Sequence, residues 1–490
     1  MRGLRRRFRD RFTFLGIALA LSACGGGGSS AGGSGGPIAT PTPTPTPVTS
    51  ACSLRKRQDW ALAQVNEWYL FPETLTYVNP SGFSNLSDYV DALTAGARAQ
   101  GKDRYFTYVT SIAEETAYYN SGSTAGFGIR FHIDDTSRRL WVSEAFEGAP
   151  ALNAGIDRGA EILAIGTSGS NLRTVSSIIA SEGDYGLYTA LGSDDPGVTR
   201  VFDIQDALGR RTVSVAKANY DIQPVSTRYG VRILDDNGRK VGYINLRTFI
   251  YSAEPQLRAA FGQLKAQGVQ DVIVDLRYNG GGLLSVAQTL GDLLGGARHS
   301  SDVFAQLRMR PEKFAENDTY YFETEANAIA PRRIAFIGTE GTASASELVM
   351  NAFRPYLGTD IALIGDNTYG KPVGQIALDN SACDDRLRLI AFSVVNSAGQ
   401  GGYFNGLASV MEVSCKAEDD ITLPLGDPRE ASVARALDYL DGRPCSAITA
   451  QSAFARTASV SLEPVAPAPD LHPLVPATPS EPQRDMPGLF

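Results

Sequence analysis

The chain has 490 residues, enough for about three domains of ~150 residues each, with 43% apolar and 20% charged side chains. Its 45 Lys and Arg against 53 Asp and Glu leave a formal charge of −8, which argues against a nucleic-acid binder built on a basic stripe. Three histidines, His132, His299 and His472, stand far apart in the sequence; a His-rich metal site is disfavoured and a Ser-His-Asp triad weakened.

Residues 1–24 read as an export signal. Arg2, Arg5, Arg6, Arg7, Arg9 and Arg11 precede an apolar run from Phe12 to Ala23, shorter than the ~20 residues of a membrane-spanning helix. Leu21-Ser22-Ala23-Cys24 resembles the bacterial lipobox, in which the cysteine is lipidated and becomes the new N-terminus; an ordinary cleaved signal is the alternative. Residues 25–51 are a Gly/Ser stretch and then a Thr-Pro repeat, flexible and then stiff, suited to holding a body off a membrane. The expected location is that of an exported bacterial lipoprotein, periplasm-facing or, with Gly25 rather than Asp after Cys24, anchored in an outer membrane. Cys52, Cys383, Cys415 and Cys445 remain, with no CxxC spacing. Export permits disulfides, and proximity and bracketing favour Cys383–Cys415 and Cys52–Cys445 over free thiols.

Residues 52–110 read as a small helical domain. Ala61, Val65 and Trp68 recur at helical spacing, as do Leu86, Tyr89, Val90 and Leu93 behind a Ser84/Asn85 cap. Residues 111–218 read as short strands and turns. Gly126-Phe127-Gly128-Ile129 feeds an alternating strand, followed by Leu140-Trp141-Val142, Gly148-Ala149-Pro150-Ala151, Ala154-Gly155-Ile156 and Gly159-Ala160-Glu161-Ile162-Leu163-Ala164-Ile165. That order resembles a PDZ domain rather than a lone β-turn. The small residues from Gly126 to Ile129 let backbone N–H groups converge on a peptide carboxylate beside a strand edge.

From 219 to 447 strands alternate with helices: strands at Val241–Ile250, Asp271–Leu276, Arg333–Gly338, Ile361–Gly365 and Ile376–Asp379, helices at Ala253–Gly268, Leu283–Leu294 and Ser344–Leu357. Such alternation argues for an α/β sheet with crossover helices and a site at the C-terminal strand ends. Residues 448–490, rich in Pro, Ala and Ser with few large apolar side chains, read as a disordered tail.

Three loops of this last domain carry chemistry. In Asp275-Leu276-Arg277-Tyr278-Asn279-Gly280-Gly281-Gly282 the glycines uncover backbone N–H groups suited to an oxyanion. In Gly341-Thr342-Ala343-Ser344-Ala345-Ser346-Glu347, Ser344 and Glu347 have capping-box spacing. A serine at a helix N-terminus also sits where developing negative charge is favoured, and spacing leaves Ser344 and Ser346 as competing nucleophiles. Gly365-Asp366-Asn367-Thr368-Tyr369-Gly370-Lys371 is most of a Walker A loop, but Pro372 stands where Ser or Thr should ligate magnesium, which disfavours nucleotide binding. Lys371 can instead serve as a general base without histidine. Its ordinary pKa of ~10.4 must then fall toward ~7, about 4–5 kcal/mol supplied by burial. Gln375, four residues on, orients the amine without adding charge.

Together the loops resemble the C-terminal processing (tail-specific) peptidases, over roughly residues 55 to 440. "DLRYNGGG", "TASASE" and "TYGKPVGQ" stand where that family has its glycine loop, nucleophile and lysine segments. The resemblance implies an α/β multidomain fold with a crotonase-like core and a PDZ domain. It implies Ser344 as nucleophile, Lys371 as base, Gln375 as its partner, and oxyanion donors from Ala345 and from Gly281 or Gly282, with no cofactor and no metal. Two departures stand out: an insertion around Leu357 to Asp360, and "GKPVGQ" where many members have "GKGTVQ". The implied activity is serine endopeptidase cleavage near the C-termini of envelope proteins. Implied partners are peptides with free C-termini and the membrane through the lipid, with an accessory lipoprotein or homo-oligomer left open. The alternative is a catalytically silent PDZ scaffold.

Overall fold

The computed structural model describes residues 52–449 and 471–490, so the signal, Cys24 and the 25–51 linker lie outside the described residues. A six-stranded sheet is ordered Val231–Asp236, Arg239–Asn245, Asp271–Asp275, Arg333–Gly338, Ile361–Gly365, Ser414–Lys416, parallel throughout except for the first pair. The Asp-Val-Ile-Val-Asp strand Asp271–Asp275 is buried along its whole length, the signature of a strand covered on both faces. Val272 and Val274 pack under helices Ala253–Ala266, Leu284–Leu294 and Ala345–Leu357, while Ile273 meets Val433, Ala436 and Leu440 of helix Ala431–Leu440.

The second strand ends at Asn245, five residues before the sequence suggests. Residues 246–250 stay buried but turn their backbone elsewhere: Arg247 N donates to Pro224 O and Phe249 N to Gly281 O. This crossing supports the glycine loop from below. The stretch read as an insertion supplies a single 3-10 turn, Gly358–Asp360.

The N-terminal helices Leu54–Trp68 and Leu86–Leu93 form where periodicity places them, the second capped by Asn85, whose side chain accepts from Asp88 N at 2.8 Å. Their apolar faces share a core with Leu387, Leu389 and Ile390. Those residues lie on the long strand Asp385–Val395, which pairs with Tyr108–Ser111, Val303–Met309 and Val373–Asn380 in a second sheet.

Residues 123–221 contribute the strand-rich part. Its sheet runs Ile129–Asp134, Arg139–Ala145, Glu161–Gly166, Thr199–Asp206, Gly209–Ala216, all antiparallel, around Phe131, Ile133, Val142, Ile162 and Phe202. Two helices, Ile112–Ser121 and Val175–Leu191, appear where the sequence suggests strands and turns. The second is disguised by Gly183, which breaks the helical backbone midway with φ 62°.

Two expectations are corrected. The disulfides are Cys52–Cys383 and Cys415–Cys445. Cys383 sits in the turn before Asp385–Val395 and Cys415 in the last strand of the six-stranded sheet, so proximity in sequence puts them on different sheets. Cys445 follows the helix that packs back on Cys415's own strand. Replacing Cys415 and Cys445 together by alanine, which opens a loop with separation 30, should lower stability by about 3–4 kcal/mol on the chain-entropy account, read as the urea midpoint. The second correction concerns the tail. Residues 471–490 are ordered: Leu471–Pro473 extends the Ile129–Asp134 sheet, and Leu474, Met486, Leu489 and Phe490 are buried. These four apolar side chains are buried although the segment around them is polar and Pro-rich, which composition averages away.

Candidate active site

Three parallel strands end at Asp275, Gly338 and Gly365, and the three glycine-rich loops leave from that one edge. Side chains and backbone lace them together. Thr342 Oγ1 donates to Leu276 O at 2.8 Å, and Tyr369 N to Thr342 O at 2.9 Å. Asn279 is the hub of the first loop. Its Nδ2 donates to Leu246 O, its Oδ1 accepts from Gly281 N at 3.0 Å, and its carbonyl accepts from Ala343 N and from the Ser346 hydroxyl at 2.9 Å. Ser346 is therefore buried with its hydroxyl engaged, whereas Ser344 is half-exposed.

Ser344 caps the Ala345–Leu357 helix with φ 54° and ψ −111°, a region that costs a non-glycine residue about 1–3 kcal/mol and persists only where neighbours enforce it. Glu347 enforces it. This fully buried carboxylate accepts from Ser344 N at 2.9 Å, Thr368 Oγ1 at 2.6 Å, Gly370 N at 2.7 Å and Lys371 N at 2.8 Å. Because Ser344 N and Lys371 N share its Oε2, one oxygen sets the backbones of both residues side by side. Burial raises the Glu347 pKa, and the four donors pull against that rise.

Lys371 is half-buried, its Nζ 5.1 Å from the Phe106 ring centroid and 3.2 Å from Gln375 Oε1. The Gln375 amide is held in turn by its Nε2 bond to Phe106 O. Burial depresses the lysine pKa, opposed mainly by Asp485 and Glu481. The backbone also closes in on Ser344. A Cβ on Gly281, whose φ is 121°, would lie 2.8 Å from Ser344 Cβ and 3.1 Å from Ala345 N, so only glycine fits there.

The predicted residues thus fall in two places. Ser344, Ala345, Lys371, Gln375, Gly281 and Gly282 surround the loop edge, with Gly282 bridged to Phe249. Gly126, Phe127, Gly128 and Ile129 stand at the head of the Ile129–Asp134 strand. Arg130 joins the two places: its Nη1 donates to Tyr278 O at 2.9 Å and to Pro487 O at 2.7 Å. Sequence reasoning passed over Asn279, Gly280 and the wider role of Glu347. The Gly281 N–H named as an oxyanion donor is turned to Asn279, and Gly280 N instead meets a peptide carbonyl, that of Asp485, at 2.7 Å. Arg277 of the same loop bonds Asp275, Asp419 and Glu430 in a buried cluster that braces the strand end.

Known proteins resemble parts of this chain. Residues 240–406 match the family model described as peptidase family S41. The chain is 28% identical over 256 residues to the carboxyl-terminal-processing protease of Picosynechococcus sp., covering 51% of this chain and 55% of that one. It is 25% identical over 290 residues to carboxy-terminal processing protease CtpA of Bacillus subtilis, covering 59% and 56%. The chain thus spans about half the length of the curated relatives it matches. The solved structure of a candidate S41 protease from Bacteroides fragilis NCTC 9343 superposes with TM-score 0.60 at 22% identity, over 78% of this chain and 97% of that one, a likeness of fold. The matched segment, residues 240–406, is thus the part of the chain that carries the loop edge, and there it is similar to peptidase family S41.

Proposed function

We propose that this chain is a serine endopeptidase working through a Ser344/Lys371 dyad, with Gln375 as the positioning residue. The observation that carries the reading is the setting of Lys371: an amine on an aromatic face, bonded to a neutral amide and backed onto the strained Ser344 through Glu347. A carboxylate at position 375 would hold the proton on the lysine; an amide lets it leave. Ser344 Oγ attacks a peptide carbonyl while Lys371 Nζ takes its proton. The N–H groups of Ala345 and Gly280 stabilise the oxyanion, the lysine returns the proton to the leaving amine, and water hydrolyses the acyl-enzyme.

The reading extends to the rest of the chain. The core is crotonase-like, the 52–110 segment is a helical appendage to it, and the 123–221 unit is a PDZ domain. Its Gly126–Ile129 turn takes the C-terminal end of a substrate as an added strand. Cys24 carries a lipid that tethers the enzyme in the envelope, where exported proteins are cut near their C-termini. The names of the relatives support the tail-directed activity, and the export-type N-terminus supports the location.

The test incubates the mature protein with an unstructured polypeptide and maps new ends by mass spectrometry. Cleavage lost in Ser344→Ala supports the reading; equal cleavage by both removes it, and cleavage by neither favours the scaffold. Gly128 tests the groove. Its φ is 71°, and a Cβ there would stand 2.1 Å from Ala149 Cβ. Gly128→Leu should lower kcat/KM for a substrate with a free C-terminus by about tenfold, equivalent to ~1.4 kcal/mol of binding, and leave a circularised version of it unaffected.

A further inference from the structure

Residues 480–490 run from the loop edge to the strand-edge groove. Ser480 starts a helical turn, Glu481–Asp485. Glu481 accepts from Tyr108 OH at 2.6 Å and Tyr119 OH at 2.7 Å, and the Arg484 guanidinium lies 3.7 Å from the Tyr108 ring centroid. Asp485 O takes the Gly280 N–H, and Met486 is fully buried. The chain then pairs antiparallel with the Ile129–Asp134 strand. Phe131 N donates to Gly488 O at 2.8 Å, Phe490 N to Ile129 O at 2.8 Å and Ile129 N to Phe490 O at 3.1 Å. The Phe490 ring stacks on Tyr188 and tilts against Phe131. Asp485 and Phe490 are five positions apart in the chain, so the two anchorages lie at most about 18 Å apart.

We infer that residues 480–490 are an intramolecular ligand that fills the catalytic cleft and the strand-edge groove together, so that a substrate must displace them. The inference rests on the peptidase reading above. The groove is filled by strand addition with one aromatic side chain in an apolar pocket, the way peptide ligands are held. That defines the competitor as an apolar peptide segment that adds as a strand and places a large ring on Phe131 and Tyr188. Across the cleft the segment is helical, rising about 1.5 Å per residue where an extended chain rises about 3.3 Å, so it blocks the dyad without laying a peptide bond out for attack. Its carboxylates also act on the base. Glu481 and Asp485 oppose the loss of a proton from Lys371, joined by Asp103 from the N-terminal part and countered by Arg484.

The test uses the full chain. A tethered ligand has an effective concentration near millimolar, so one of ~100 μM intrinsic affinity suppresses activity about tenfold. Phe490→Asp and Glu481→Ala should each raise the initial rate of polypeptide cleavage at low substrate by about that factor. Glu481→Ala should also move the acid limb of the rate to lower pH. The synthetic peptide Ser480–Phe490 should inhibit Phe490→Asp competitively. If Phe490→Asp fails to fold, Glu481→Ala decides alone. Wild-type rates in well-folded variants overturn the inference, as does loss of residues 486–490 from the incubated wild type, which would make the segment a substrate. Fluorescence anisotropy of the labelled peptide on a Ser344→Ala, Phe490→Asp chain needs no turnover. Binding there without cleavage by any form keeps the ligand and sinks the peptidase reading; cleavage without binding does the reverse.

Discussion

Lys371→Ala should reduce kcat/KM for an unstructured polypeptide by at least about 10³-fold, as losses of a dyad member do. Combining it with Ser344→Ala should add almost nothing, because one residue has no function without the other. Lys371→Arg should be equally inert, since a guanidinium keeps its proton at any working pH. The sign of the pH profile follows from the direction of the lysine shift. Burial holds its pKa below the ordinary 10.5, and in the proposed dyad the neutral amine is the active form, so the rate should climb with pH along a limb centred below 10.5. A rate that falls as pH rises through that range would refute the assignment. Gln375→Glu sharpens the test: a carboxylate against Nζ should drive the limb upward and lower the rate at neutral pH, with KM little changed.

Glu347→Ala should be nearly as damaging although Glu347 touches no substrate. Four donors converge on its carboxylate, and each buried donor left without a partner costs about 1–3 kcal/mol. The fold should lose several kcal/mol, read as the urea midpoint. Where folded protein remains, kcat should drop by about 10²-fold, the scale of a misplacement of ~1 Å between reacting groups. Thr368→Val is the control: it removes one donor to Glu347 and the acceptor of Leu407 N but leaves the oxygen shared by Ser344 N and Lys371 N, so it should cost about 2–4 kcal/mol and little kcat. Equal kcat losses in the two variants would show that the shared oxygen does not position the dyad.

The strands Arg333–Gly338 and Ile361–Gly365 are legible residue for residue, because each is a short apolar run closed by the glycine that turns the chain into a loop. The loops are legible as motifs, because glycines and one serine at a helix start restrict what backbone they can form. What sequence hides is partnership at a distance. Glu347 reads as a capping partner three residues from Ser344; that it also ties down Gly370 and Lys371 depends on two strands lying parallel. Asn279 reads as a loop residue, and only folding brings Leu246 and Ala343 to it. The same holds for the cysteines, whose pairing follows the helix that returns to Cys415, and for Phe490, a single ring in a polar segment.

The Cys52–Cys383 bond has a mechanical consequence. Any pull that reaches the body from residue 51 passes through sulfur to the turn before Asp385–Val395. The Leu54–Trp68 helix, which follows Cys52 in the chain, carries no load by that route. Tension therefore arrives at a multistranded sheet, loaded through a covalent anchor, rather than at the end of a single helix that would peel turn by turn.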